Sequence, residues 1–258
     1  MKVVILAGGM GTRISEESHL KPKPMIEIGG KPIIWHIMKI YEHYGHNDFV
    51  ICCGYKGHVI KEYFINYFLY NSDISVEVGN NKIDVHFSNT ESFKVTLVDT
   101  GLKTNTAGRI KKIEKYVKGE PFMLTYGDGV ANVNIKELLA FHKKNARLVT
   151  VTSIQLPGRY GNIQTNEAGI VQKFQEKPEG DGVWINGGFF VMEPGIFKYL
   201  EGDMEDVQWE VTPLLQIAQK GQMASYKHNG FWKCMDAMRD KLELENMWET
   251  NQAAWKIW

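Results

Sequence analysis

Apolar and polar positions follow two regimes along the chain. Residues 2–7 carry an apolar, β-branched run, Val3-Val4-Ile5-Leu6-Ala7, that ends in glycines, the pattern of a strand buried on both faces. Behind Pro32, which a first helical turn tolerates, Ile33, Ile34, Ile37, Met38, Tyr41 and Tyr44 recur at helical spacing until Gly45 stops them. The unit then repeats, with a strand over residues 49–53 and an inward helical stripe of Val59, Ile60, Tyr63, Phe64, Tyr67 and Phe68. Strands that alternate with helices in this way predict a parallel sheet with helices packed on it.

From residue 74 to 99 the period shortens. Ser75-Val76-Glu77-Val78 and Lys82-Ile83-Asp84-Val85, separated by Gly79-Asn80-Asn81, predict antiparallel hairpins beside the main sheet, covering an edge or building a subunit contact. Residues 122–125 read as another buried strand, ending at Tyr126-Gly127-Asp128-Gly129, with a helix over 135–144. Further strands are expected near 149–154, 170–174 and 188–192, and helices near 210–220 and 236–248. No linker rich in Pro, Gly or Ser interrupts the chain. The expectation is one α/β domain over residues 1–258: a Rossmann-like, mostly parallel sheet flanked by helices, with added antiparallel strands and a C-terminal elaboration.

Composition narrows the functional classes. Thirty basic residues balance thirty acidic ones, so no whole-protein field draws the chain to nucleic acid or to an acidic membrane. Any bound anion must be held locally. The three cysteines include the adjacent pair Cys52-Cys53 and show no zinc-ligand spacing, which suits a reducing cytoplasm. No apolar run reaches membrane length. Trp248, Trp255 and Trp258 crowd the C-terminus and are expected to pack on the body or meet another subunit.

Gly8, Gly9 and Gly11 let the backbone turn after the first strand and bring its amides close to an anion. A dinucleotide fingerprint would need glycine where Ile14 stands, and a Walker loop would need a Gly-Lys-Ser/Thr ending that is absent. The glycines lead instead to Arg13 and to the segment Lys21-Pro22-Lys23-Pro24-Met25, read as a stiff, extended strut presenting Lys23 beside the forked guanidinium of Arg13. The plain alternative is a glycine turn and then a solvated basic stretch.

Residues 6–13 together with 21–25 resemble the signature of the sugar-phosphate nucleotidyltransferases. Within that family, the segments at 51–57, 125–129, 174–178 and 186–190, and residues 230–232 through Asp236 to Asp240, resemble the branch that uses CTP and glucose 1-phosphate. The resemblance implies a nucleotide site of Leu6, Ala7, Gly8, Gly9, Met10, Gly11, Thr12, Arg13, Lys23, Thr104, Arg109 and Gly127. It implies a sugar-phosphate site of Glu176, Lys177, Asn186 and Gly187, Mg²⁺ held by Asp128 and Asp236, and catalytic roles for Arg13, Lys23 and Asp128. The nucleotide side falls in about residues 1–130 and the sugar side in 131–258. Members are oligomeric, hexamers included, so a homo-oligomer is expected. Read without the family, Asp128 is an Asp-Gly turn, Asp236 a helix N-cap, Glu176-Lys177 a surface ion pair, Asn186-Gly187-Gly188 a hairpin turn and 104–109 a loop.

The implied reaction is CTP plus α-D-glucose 1-phosphate giving CDP-glucose and pyrophosphate. A phosphate monoester has a second pKa near ~6 and is largely dianionic at neutral pH, so its oxygen attacks without a dedicated base. Catalysis then rests on alignment and charge neutralisation, with Arg13 on the pyrophosphate, Lys23 on the α-phosphoryl group and Lys177 on the attacking phosphate. Two rivals remain: the same reaction with UTP, dTTP, GTP or another sugar 1-phosphate, and a non-catalytic nucleotide-binding regulatory protein.

Overall fold

The computed structural model describes residues 1–11, 14, 21–117, 119–156, 162–175 and 183–258. Strand β1 (Val3–Ala7) is followed by a short ribbon of β2 (Glu27–Ile28) and β3 (Lys31–Pro32), then by helix α1 (Ile33–His43). Strand β4 (Asp48–Cys53) leads into α2 (Gly57–Tyr70), and a hairpin of β5 (Ser72–Glu77) and β6 (Lys82–Ser88) precedes β7 (Lys94–Asp99). Two short helices, α3 (Thr106–Lys112) and α4 (Glu114–Val117), connect to β8 (Phe122–Tyr126) and β9 (Gly129–Ala131). Next come α5 (Ile135–Asn145), β10 (Val149–Ile154), a hairpin of β11 (Asn162–Thr165) and β12 (Val171–Gln175), and β13 (Ile185–Met192). Helix α6 (Pro213–Gln219), β14 (Met223–Lys227), β15 (Trp232–Cys234) and α7 (Met238–Glu249) close the chain.

Among the described residues, seven strands form the central sheet in the order β14-β10-β13-β8-β1-β4-β7. Every neighbouring pair is parallel except the two made by β13, which runs against both β8 and β10. Because side chains alternate across a strand, the unbroken apolar run of β1 serves two cores. Val3, Ile5 and Ala7 pack with Ile33 and Ile37 of α1 and Leu244 of α7, while Val4 and Leu6 pack with Ala107, Ile110, Trp209 and Ile217 on the other face. Each fully buried side chain of this kind contributes roughly 1.5–3 kcal/mol. The C-terminal tryptophans belong to the first core: Trp248, Trp255 and Trp258 close around the buried His36. No helix among the described residues is long and apolar enough to cross a membrane.

Four local expectations change. The 21–25 segment is not an extended strut. Lys23–Met25 forms a single 3₁₀ turn, closed by a hydrogen bond from the Met25 N–H to the Pro22 carbonyl at 2.7 Å, because proline's fixed φ suits a tight turn as well as an extended chain. Helix α6 starts at Pro213, which is favoured in a first turn, and so leaves Glu210 outside it. Helix α7 is capped at Ala237, and Asp240 accepts the N–H groups of Asp236 (3.1 Å) and Ala237 (2.9 Å), so Asp236 is not the N-cap. Asn186-Gly187-Gly188 lies inside β13 rather than in a turn, where its pairing with β10 shifts register and Gly188 takes φ +79°. The β5–β6 hairpin forms its own two-stranded sheet, with Val78 and Phe87 exposed.

Candidate functional site

A cleft of about 360 Å³ opens at the carboxyl ends of β1 and β8, where open α/β sheets bind ligands. Leu6, Ala7, Gly8, Gly9 and Gly11 form one wall, Lys23, Gly127, Asp128 and Asp236 a second, and Thr104 and Arg109 a third. Met10, beside this loop, is largely exposed. Thr12, Arg13, Glu176 and Lys177, all expected at the site, lie outside the described residues.

The glycines are not interchangeable. A Cβ on Gly8 would stand 2.1 Å from Nη1 of Arg109, whereas one on Gly9 would meet nothing within 4 Å among the described residues. Gly11 holds φ +63°, a conformation costly for residues with a side chain. A Cβ on Gly127 would press on the Leu6 carbonyl at 3.0 Å and on Pro24 at 3.1 Å. Bare backbone at Gly127 therefore lets the Lys23–Met25 turn lie against the strand end.

That turn drives Lys23 into the second wall. Its Nζ donates to Oδ2 of Asp128 at 2.6 Å and to Oδ1 of Asp236 at 2.5 Å. Asp128 and Asp236, far apart in sequence, meet because β9 and β15 pair as an antiparallel ribbon with Gly129 opposite Cys234, and the Met235 N–H donates to the Asp128 carbonyl. Burial alone would lower the Lys23 pKa, but Asp128 above all, with Cys234 and Asp236, outweighs it and holds the ammonium above its ordinary value. Burial, then the neighbouring Asp128, pushes the Cys234 thiol well up, so it stays protonated.

Ligand atoms of Asp128, Cys234 and Asp236 lie within 4.8 Å of one another. A hard divalent cation takes carboxylate oxygens and discriminates against a protonated thiol, so the donor set fits such an ion on two aspartates, with Cys234 as a neighbour. The ammonium of Lys23 already bridges the pair, which shows that the two carboxylates are placed to share one cation.

Arg109 and Thr104 line the cleft, yet their polar atoms face protein. The Arg109 guanidinium donates to the carbonyls of Gly8 (3.0 Å), Gly101 (2.9 Å) and Cys53 (3.3 Å) and to Oγ1 of Thr100 (2.6 Å). It thereby ties the glycine loop to the ends of β4 and β7. Thr104 Oγ1 donates to Glu205 at 2.5 Å and accepts from Lys112 at 3.0 Å. Hydrogen bonds from Thr104 first, and then from Lys112, hold the exposed Glu205 carboxyl below its ordinary pKa.

Asn186 and Gly187 adjoin the cleft through Tyr126 rather than lining it. Asn186 Nδ2 donates to the Tyr126 hydroxyl at 3.2 Å, and the Gly187 carbonyl accepts from Trp232 Nε1 at 2.7 Å. Sequence reasoning missed Tyr126, Thr106 and Glu210, which meet at this corner. Tyr126 had a usable signal, since it immediately precedes Gly127-Asp128. Glu210 had none, because nothing in its local pattern sets it apart from a helical surface glutamate.

Carboxylates for a hard cation, beside a glycine loop open to phosphate at the carboxyl edge of a parallel sheet, are what an enzyme acting on a nucleoside triphosphate requires. The chain belongs to the nucleotidyl transferase family, whose model matches residues 2–240. It is 52% identical to a glucose-1-phosphate cytidylyltransferase of Salmonella typhi over the full length of both chains. It is 43% identical to a probable glucose-1-phosphate cytidylyltransferase of Bacillus subtilis, again end to end. Among solved structures, HddC of Yersinia pseudotuberculosis shares the fold with a TM-score of 0.68 and 20% identity, covering 96% of this chain and 99% of its own. Apo UDP-glucose pyrophosphorylase does so with a TM-score of 0.69 and 19% identity, covering 97% and 98%.

Proposed function

We propose that this protein transfers the cytidylyl group of CTP to α-D-glucose 1-phosphate, releasing pyrophosphate and giving CDP-glucose, with Mg²⁺ on Asp128 and Asp236. The observation that carries the site assignment is the single cation shared by those two aspartates beside the glycine loop. The substrates follow from end-to-end likeness to relatives named for them.

When bound, Mg²⁺ would neutralise phosphate oxygens and fix the triphosphate against the two carboxylates. The chain's own groups do the rest. Backbone around Gly9 approaches the phosphates, and Lys23, which stands against the same two carboxylates, would offer its ammonium to the α-phosphoryl oxygens. Arg13 takes the pyrophosphate, and Glu176, Lys177, Asn186 and Gly187 hold the sugar phosphate. A phosphate oxygen of glucose 1-phosphate bonds to the α-phosphorus as the bond to the bridging oxygen of pyrophosphate breaks, so no proton acceptor is needed. Residues 1–130 supply the nucleotide side and 131–258 the sugar side of this cytoplasmic homo-oligomer, whose assembly light scattering measures.

Incubation with glucose 1-phosphate and each of CTP, UTP, dTTP and GTP, followed by pyrophosphate measurement, tests the reading. CTP is expected to turn over fastest. Faster turnover with UTP or dTTP would overturn the cytidylyl assignment, and no release with any of the four would favour a non-catalytic nucleotide-binding protein.

A further inference from the structure

At the corner between the two halves of the site, one carboxylate serves both. Glu210 accepts from the Tyr126 hydroxyl through Oε1 at 2.5 Å and from Thr106 through Oε2 at 2.9 Å. Thr106 belongs to the nucleotide wall: it lines the cleft, and its Oγ1 also accepts the Trp209 N–H at 2.7 Å. Tyr126 lines the same cleft and reaches the other way, toward Asn186.

The polarity of this chain is fixed by counting donors. A tyrosine hydroxyl has one proton, and an ionised carboxylate can only accept, so Glu210 claims that proton and leaves Tyr126 an acceptor toward Asn186. The other end agrees: the Gly188 N–H needs an acceptor and finds Asn186 Oδ1 at 2.8 Å, which turns Nδ2 to Tyr126. The Asn186 amide therefore cannot flip without losing both bonds. Its second Nδ2 proton has no partner among the described residues and is left for a ligand, on an exposed side chain. The ring itself is seated on bare backbone, since a Cβ on Gly188 would stand 2.6 Å from Tyr126 Cδ2.

We propose that Glu210 is a positioning residue that couples the two substrate subsites. Through Tyr126 it sets Asn186 as a hydrogen-bond donor to a sugar hydroxyl, and through Thr106 it holds the start of α3, which walls the nucleotide. In-line transfer requires both substrates in register, and one carboxylate joined to both walls supplies that register. The inference rests on the reaction proposed above and on Asn186 facing the sugar.

Initial-rate kinetics of pyrophosphate release, varying each substrate in turn, separate the two arms. Tyr126→Phe cuts only the sugar arm and should raise KM for glucose 1-phosphate about fivefold or more, with KM for CTP within about twofold. Thr106→Val cuts the nucleotide arm, together with the Trp209 N–H bond to the same hydroxyl, and should do the reverse. Glu210→Ala should raise both, and adding Tyr126→Phe to it should raise KM for the sugar phosphate little further, a non-additivity that separate roles would not give. Glu210→Gln keeps an acceptor for Tyr126 and should restore most of the sugar-phosphate KM, which also covers the case of Glu210→Ala failing to fold. Unchanged KM values in a folded Glu210→Ala protein, or a Tyr126→Phe effect confined to CTP, would overturn the coupling role and leave the reaction standing. A wild-type protein that releases no pyrophosphate would overturn the reaction, and the coupling role with it.

Discussion

Replacing Gly8 by alanine isolates the clamp that shapes the glycine loop. The new methyl would lie 2.1 Å from Nη1 and 2.2 Å from Cζ of Arg109, against an ordinary contact of about 3.5–4.0 Å. The guanidinium is held on two sides by bare backbone. A Cβ on Gly54 would lie 2.4 Å from the same nitrogen, so the group sits between two bare backbones, and it is only 4% exposed. Moving it breaks some of its four hydrogen bonds, each worth roughly 1.5–3 kcal/mol for a charged donor. Loss of two gives about 3–6 kcal/mol, well beyond the ~0.4–1 kcal/mol that Gly→Ala returns by restricting the unfolded chain. Equilibrium urea unfolding of Gly8→Ala, Arg109→Ala and the double variant measures this. With Arg109 truncated the clash is gone, so Gly8→Ala should then cost less than about 1 kcal/mol. A cost below about 1 kcal/mol with Arg109 intact, or equal costs in the two backgrounds, would refute the clamp.

Gly9→Ala is the opposite case: its Cβ meets nothing within 4 Å among the described residues, so unfolding free energy should stay within about 0.5 kcal/mol while calorimetric CTP affinity falls at least about tenfold as the methyl obstructs phosphate. Unchanged affinity would deny the loop its ligand. Acid should act through His36, whose Nε2 lies 2.8 Å from the Ile28 carbonyl and whose Nδ1 accepts from Trp255. Burial lowers its pKa from 6.5 to about 4. The folded state resists the proton that the unfolded state accepts, so this stability is complete above pH 6.5 and lost as pH falls toward 4. Between those two values the loss comes to about 3 kcal/mol. Urea midpoints at pH 7 and 4 should converge for His36→Phe relative to wild type, and parallel losses in the two proteins would contradict the assignment.

Much of the fold was legible because its signals are local. The strand ends at Ala7, Cys53 and Tyr126 follow from apolar runs that stop at glycine, and the parallel order follows from strand–helix alternation. The Gly8–Gly11 loop, Lys23, Asp128 and Asp236 were legible because their motifs resemble one family, and the cleft gathers them. What escaped depends on register between distant segments. The β9–β15 pairing that brings Asp236 to Asp128 has no local signal, and neither does the meeting of Glu210, which precedes the helix at Pro213, with Tyr126 and Thr106. Arg109 lines the cleft, as the resemblance implied, but sequence does not reveal that Gly8 and Gly54 leave room for its guanidinium beneath the loop. The bend at Lys23 was hidden for a related reason, since the same proline φ serves a strut and a turn.

Everything proposed for the reaction depends on Asp128 and Asp236 holding the cation that transfer needs. Single-turnover pyrophosphate release from CTP and glucose 1-phosphate by Asp128→Ala, in protein whose urea midpoint shows it folded, puts that dependence to the test. The rate should fall at least about 10³-fold below wild type, since several kcal/mol of charge stabilisation is lost. A folded Asp128→Ala protein that releases pyrophosphate at the wild-type rate would contradict the metal assignment and the mechanism built on it.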